Sequence, residues 1–115
     1  MKLVQILLPL RDNRGRPFKR SLHERVRKEI TDEFGGLTAY TRSPARGVWK
    51  TGGKEKRDDL VILEIMSRRA RHTWWKRYRH KLERRFRQEK LIVRMQDMAL
   101  IYLALAMASK KGTST

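Results

Sequence analysis

The sequence predicts an α+β domain on the ferredoxin-like βαββαβ plan: a four-stranded antiparallel sheet, two helices on one face, and an apolar C-terminal tail. Three observations predict it. Short β-prone runs occupy 3–10, 37–42, 60–66 and 91–95, each bounded by turn-forming residues or loops. The stretches 21–34 and 67–90 carry apolar residues at helical spacing. Their order along the chain is strand, helix, strand, strand, helix, strand.

The first run, LVQILLPL, is apolar on both faces, as in a central strand covered on both sides, and Pro9 marks its end. A turn-rich loop follows, with Asn13, Gly15 and Pro17. Ser21 and Glu24 have the three-residue spacing of a capping box, which predicts a helix starting at Ser21. Its stripe is Leu22, Val26, Ile30 and Phe34, and Gly35-Gly36 supply a left-handed stop. The run 37–42 is the second strand, broken by Ser43-Pro44. The stretch 45–59 reads as a long loop, with a short strand at Val48-Trp49 and a turn at Thr51-Gly52-Gly53. LVILEIM at 60–66 is a second covered strand whose one acid is Glu64.

In the second helix Trp75, Tyr78, Leu82 and Phe86 fall on one stripe, and the remaining circumference is cationic. The aromatic seam is expected to face the core. Between 68 and 90 there are eleven Lys/Arg against two Glu, so this segment holds +9 of the formal +17. The last strand is 91–95; the stretch 97–109 favours helix by propensity or continues the strand as far as Tyr102, and a short strand extension followed by a loose helix is expected.

At 115 residues the chain is one domain, 1–103, with a partly frayed tail at 104–115. The absence of cysteine excludes a disulfide scaffold and fits a reducing cytoplasmic setting. MKLVQILLPL lacks a small-residue cleavage site and reads as a strand, not a leader. The apolar stretch 98–108 falls short of the ~20 residues a membrane-spanning helix needs. The first and third strands are apolar on both faces, so the sheet face away from the helices leaves a large patch to be covered. A homodimer through that open face is expected, with the tail as the other candidate cover.

Three segments, FGGLTAYTRSPARGVWK, DDLVILEIM and YRHKLERRFRQEKLIVR, together resemble a set of small bacterial proteins of unknown function with G-L-T, G-x-W and F-x-Q-E motifs. Gly35, Gly36, Leu37, Thr38, Trp49, Phe86, Gln88 and Glu89 carry the pattern. The resemblance implies a ferredoxin-like domain and brings no activity with it. The basic second helix and apolar tail depart from it.

Charge gives the leading functional expectation: non-catalytic binding of nucleic acid or another polyanion through the second helix and flanking loops. Its candidate residues are Arg69, Arg71, Lys76, Arg77, His80, Lys81, Arg84 and Arg87, with Lys54, Lys56 and Arg57 from the loop. Arginine suits phosphate because its planar fork donates two parallel hydrogen bonds. The first and third strands lack the aromatics by which RNA-binding relatives of this fold stack bases, so contact through helix and loops is expected. Trp74, at the edge of the seam, is a candidate contact.

The alternative is a small-ligand-binding protein or enzyme with a pocket between helices and sheet edge. There Trp49 as a lid, Glu64, Gln88 and Arg94 would converge. The bland reading is that Glu64 and Arg94 merely pair across neighbouring strands. No nucleophile motif, phosphate-cradling loop, metal site or cofactor is predicted. His72 and His80 sit eight apart and do not face one point, and Asp58-Asp59 reads as the end of a loop.

Overall fold

The computed structural model describes residues 1–42, 49–51, 54–56 and 60–101; for 41–42, 49–51 and 54–56 it describes the backbone. The elements are β1 (Lys2–Pro9), α1 (Arg20–Phe34), β2 (Thr38–Arg42), β3 (Trp49–Thr51), β4 (Lys54–Lys56), β5 (Leu60–Ser67), α2 (His72–Arg85) and β6 (Ile92–Asp97). β2, β5, β1 and β6 form one antiparallel sheet in that order, the sheet of the βαββαβ plan. The short β3 and β4 pair with each other, from Trp49 opposite Lys56 to Thr51 opposite Lys54.

Strand alternation divides the sheet into two faces. On one, Val4, Ile6 and Leu8 of β1 and Val61, Leu63 and Ile65 of β5 are buried in one cluster with the helices. α1 contributes Val26 and Ile30 to it. α2 contributes Trp75, Tyr78 and Leu82, and Phe86 at its C-cap completes the four-residue seam expected from the sequence. Full burial of a side chain such as Ile30 or Leu82 contributes about 1.5–3 kcal/mol.

The helix ends differ from expectation. α1 begins one residue early, with Lys19 as an extended N-cap and no side-chain cap bond, so Ser21 and Glu24 form no capping box. The cause lies upstream. The Phe18 N–H donates to the Leu10 carbonyl at 3.0 Å, and its ring meets Phe86 edge-on at 5.1 Å, which fixes where the chain turns into the helix. Glu24 instead pairs with Arg20 at 3.0 Å. Gly35 does end α1, at φ 83°, donating its N–H to the Thr31 carbonyl at 2.8 Å.

α2 is shorter than its charge run. It starts after Arg71, which adopts a left-handed φ of 51°, and ends at Phe86, followed by Arg87 at φ 52°. Arg71 offsets its backbone strain by an ion pair with Glu33 and by lying over the Phe34 ring at 4.9 Å. β6 runs on past Met95 to Asp97, the short extension expected from the sequence, and the Met98 N–H donates to the Met1 carbonyl at 3.0 Å. The expected tail helix lies outside the described residues. No helix among the described residues is long and apolar enough to cross a membrane.

Candidate functional site

Register places four polar side chains in one row across the open face. Thr38 of β2 lies opposite Glu64 of β5, Glu64 opposite Gln5 of β1, and Gln5 opposite Arg94 of β6. The Gln5 Nε2 amide donates to Glu64 Oε1 at 2.8 Å, and Arg94 Nε donates to Gln5 Oε1 at 2.6 Å. The orientation of this amide is dictated by its neighbours. A guanidinium has no acceptor and a carboxylate has no donor, so the Gln5 oxygen must face Arg94 and its NH₂ must face Glu64.

Apolar rows flank this polar one. Tyr40, Ile62, Leu7 and Ile92 line up on one side and Met66 with Leu3 on the other. Tyr40, Met66 and Ile92 are each about half exposed. Glu64 and Thr38 also line a pocket of about 410 Å³ with Leu3, Met66, Met98 and the 34–37 turn. The Gly35-Gly36 turn therefore has a second consequence besides ending α1: it forms one wall of this pocket. Its chemistry is a carboxylate, half-buried, held by an amide at the edge of an apolar hollow.

The four residues of the expected ligand pocket do not converge as anticipated. Glu64 and Arg94 share the face opposite the helices, with Gln5 between them, so they do not pair directly. Gln88 lies beyond the end of α2, where its Nε2 donates to Asn13 Oδ1 at 3.3 Å. Trp49 belongs to β3, and its side chain lies outside the described set. Gln5, which bridges the other two, was given no role from the sequence; its one signal was being the lone polar residue within an apolar strand.

The cations of α2 are less free than their sequence suggests. Arg85 grips Glu29 with two bonds, at 2.6 and 2.9 Å, while the Tyr78 hydroxyl donates to the same carboxylate at 3.0 Å. The Arg85 bonds hold the Glu29 pKa below the usual carboxylate range, and burial, with Glu29 alongside, pushes the Tyr78 phenol up. Lys81 lies 3.9 Å from Glu29, and Arg71 pairs with Glu33. His80 Nδ1 meets Glu83 at 3.1 Å, and Arg79 lies 3.9 Å from the same group. Glu83 is buried; it accepts the Leu91 N–H at 2.9 Å, which is the main reason its pKa is lowered.

Arg69, Lys76, Arg77, Arg84 and Arg87 are exposed. Lys54 and Lys56 lie on β4, and Arg57 lies outside the described residues. Trp74 is half-buried, stacked on Tyr78 at 4.9 Å and edge-on to Phe34 at 5.0 Å. Among the described residues no group of three His, Asp or Glu side chains is arranged to hold a metal ion.

No family model matches this chain, and no curated protein matches it. Among solved structures it is similar to a phage SAM lyase in complex with S-methyl-5'-thioadenosine. That likeness has a TM-score of 0.56 at 17% identity, over 84% of this chain and 80% of the other. At this identity the likeness carries the fold: a small α+β domain.

The likeness also corrects the expectation drawn from charge. The similar structure is that of a lyase in complex with a small nucleoside, which points to an enzyme and not to a non-catalytic binder of nucleic acid. The reason charge misled is physical. Arg71 and Arg85 are held by carboxylates of α1, with Lys81 close by, and Arg79 and His80 lie beside Glu83 of α2 itself, so part of the segment's positive charge is met within the molecule.

Proposed function

We propose that this protein binds a small nucleoside bearing a sulfonium, with S-adenosylmethionine as the first candidate, and acts on it as a lyase. The observation that carries the reading is Glu64, a carboxylate oriented by Gln5 at the rim of an apolar pocket on the open sheet face. The likeness to a SAM lyase supports the same substrate class. A carboxylate facing a sulfonium balances its charge, and more strongly once the ligand displaces the water between them. The apolar hollow suits the uncharged part of such a ligand.

In the reaction, the carbon–sulfur bond to the amino-acid arm breaks and both electrons stay with sulfur. Sulfur becomes the neutral thioether of S-methyl-5'-thioadenosine. The arm's own carboxylate closes on the departing carbon, so neither water nor an outside reductant is consumed. The expected result is S-methyl-5'-thioadenosine accumulating when purified protein is incubated with S-adenosylmethionine, followed by liquid chromatography. The absence of both turnover and calorimetric binding of either compound would overturn the reading.

The reading includes a second copy of the chain packed at the Tyr40 and Ile92 end of the open face, beside the polar row and not over it, because these exposed side chains leave apolar surface there. Light scattering that gives a monomer at micromolar concentration removes this part.

A further inference from the structure

We infer that Glu64, Gln5 and Arg94 form a two-ended receptor, in which Arg94 takes the carboxylate of the ligand's amino-acid arm while Glu64 takes its cation. The inference rests on the proposed reading of the Glu64 site and adds to it the residue that recognises the arm.

Arg94 spends only its Nε on Gln5, at 2.6 Å. Its two terminal nitrogens have no partner among the described residues, and the side chain is exposed on the open face. A guanidinium anchored through Nε presents the remaining donors as a fork, the geometry that matches a carboxylate. At the other end Gln5 occupies Glu64 Oε1 only, and Oε2 has no partner among the described residues. Both charged ends are thus half-satisfied and point to the same face.

The spacing is set by one amide. Two hydrogen bonds and the width of a carboxamide place the Glu64 oxygen and Arg94 Nε on the order of 7 Å apart. In S-adenosylmethionine three carbons separate the sulfonium from the carboxylate carbon. A cation lodged beside Glu64 therefore leaves the carboxylate within reach of the Arg94 fork. The nucleoside then lies on the pocket side of Glu64, towards Thr38 and Met66, and the arm crosses Gln5 in the opposite direction. Gln5 is a positioning residue here: its fixed amide keeps the two charges from collapsing onto each other.

The test is calorimetric titration of wild type and Arg94→Gln with four probes. These are S-adenosylmethionine, its decarboxylated form, S-adenosylhomocysteine and S-methyl-5'-thioadenosine. Arg94→Gln is expected to weaken the two carboxylate-bearing probes by about tenfold or more and to leave the other two within about twofold. Arg94→Lys, which keeps the charge but not the fork, is expected to fall between. Equal weakening of all four probes, or of none, overturns the assignment while the Glu64 reading stands. Failure of wild type to bind any probe overturns both.

Discussion

Arg85 of α2 reaches across to Glu29 of α1 and holds it with two parallel hydrogen bonds, at 2.6 and 2.9 Å. The guanidinium is nine-tenths buried, so this is a clasp between the two helices and not a solvated surface pair. Breaking it by Glu29→Gln leaves a buried cation short of its counter-charge and is expected to cost about 2–3 kcal/mol. Urea denaturation monitored by circular dichroism checks this.

The same clasp predicts a pH dependence. Glu29 has its folded-state pKa lowered, chiefly by Arg85, so the folded chain binds its proton less readily than the unfolded one. Stability from this group is complete above the unfolded carboxylate value of about 4.3 and is lost as pH falls through the folded value. Wild type is therefore expected to lose more stability than Glu29→Gln on acidification below about pH 4.5, with the two denaturation midpoints drawing together.

Glu83 makes a parallel case at the far end of α2. Its carboxylate accepts the Leu91 N–H at 2.9 Å and so ties the helix to the segment leading into β6. Gln in its place keeps the shape but loses the charge that strengthens that bond, at an expected cost of about 1–3 kcal/mol. Hydrogen exchange at the Leu91 amide, faster in Glu83→Gln than in wild type, is the local readout.

The parts of the fold legible in the sequence were those written in local periodicity. Trp75, Tyr78, Leu82 and Phe86 recur every three or four residues, and a helix allows them one direction to face. The apolar strands and their order gave the sheet in the same way. The candidate site was legible only in part, because Glu64 and Arg94 stood out as charges in apolar strands while their spacing across the sheet did not. That spacing comes from β1 lying between β5 and β6, a pairing of residues 5, 64 and 94 that no local pattern encodes. Only the first residue of α1 and its uncapped start were hidden, for a similar reason, since Phe18 fixes the entry to the helix through contacts with Leu10 and Phe86. The ion pairs of Arg71, Lys81 and Arg85 were hidden too, because counting charges along α2 ignores the acids on α1 that face it.

Arg87 holds a left-handed backbone at φ 52° just beyond α2, and the Gln88 N–H reaches back to the Glu83 carbonyl at 2.9 Å. A side chain in this conformation costs about 1 kcal/mol that glycine avoids. Since Arg87 is exposed, Arg87→Gly is expected to stabilise the fold by up to about 1 kcal/mol, a rise in Tm of a few degrees. Thermal unfolding in matched buffer measures it. A drop in Tm would mean that the arginine side chain contributes more than its backbone conformation costs.

The last prediction separates charge in general from one charge in particular. Glu64→Gln retains the hydrogen-bonding shape of the row but removes its negative end, so S-adenosylmethionine should bind about tenfold or more weakly. S-methyl-5'-thioadenosine, which has no sulfonium, should bind nearly as before. Arg77→Glu combined with Arg84→Glu changes the net charge of the chain by four yet touches neither the row nor the pocket. This double variant should leave both affinities within about twofold of wild type at moderate ionic strength, where exposed charges more than a Debye length away are screened. The reverse pattern, with the double variant losing affinity and Glu64→Gln unaffected, would move the ligand from the open sheet face to the helical side.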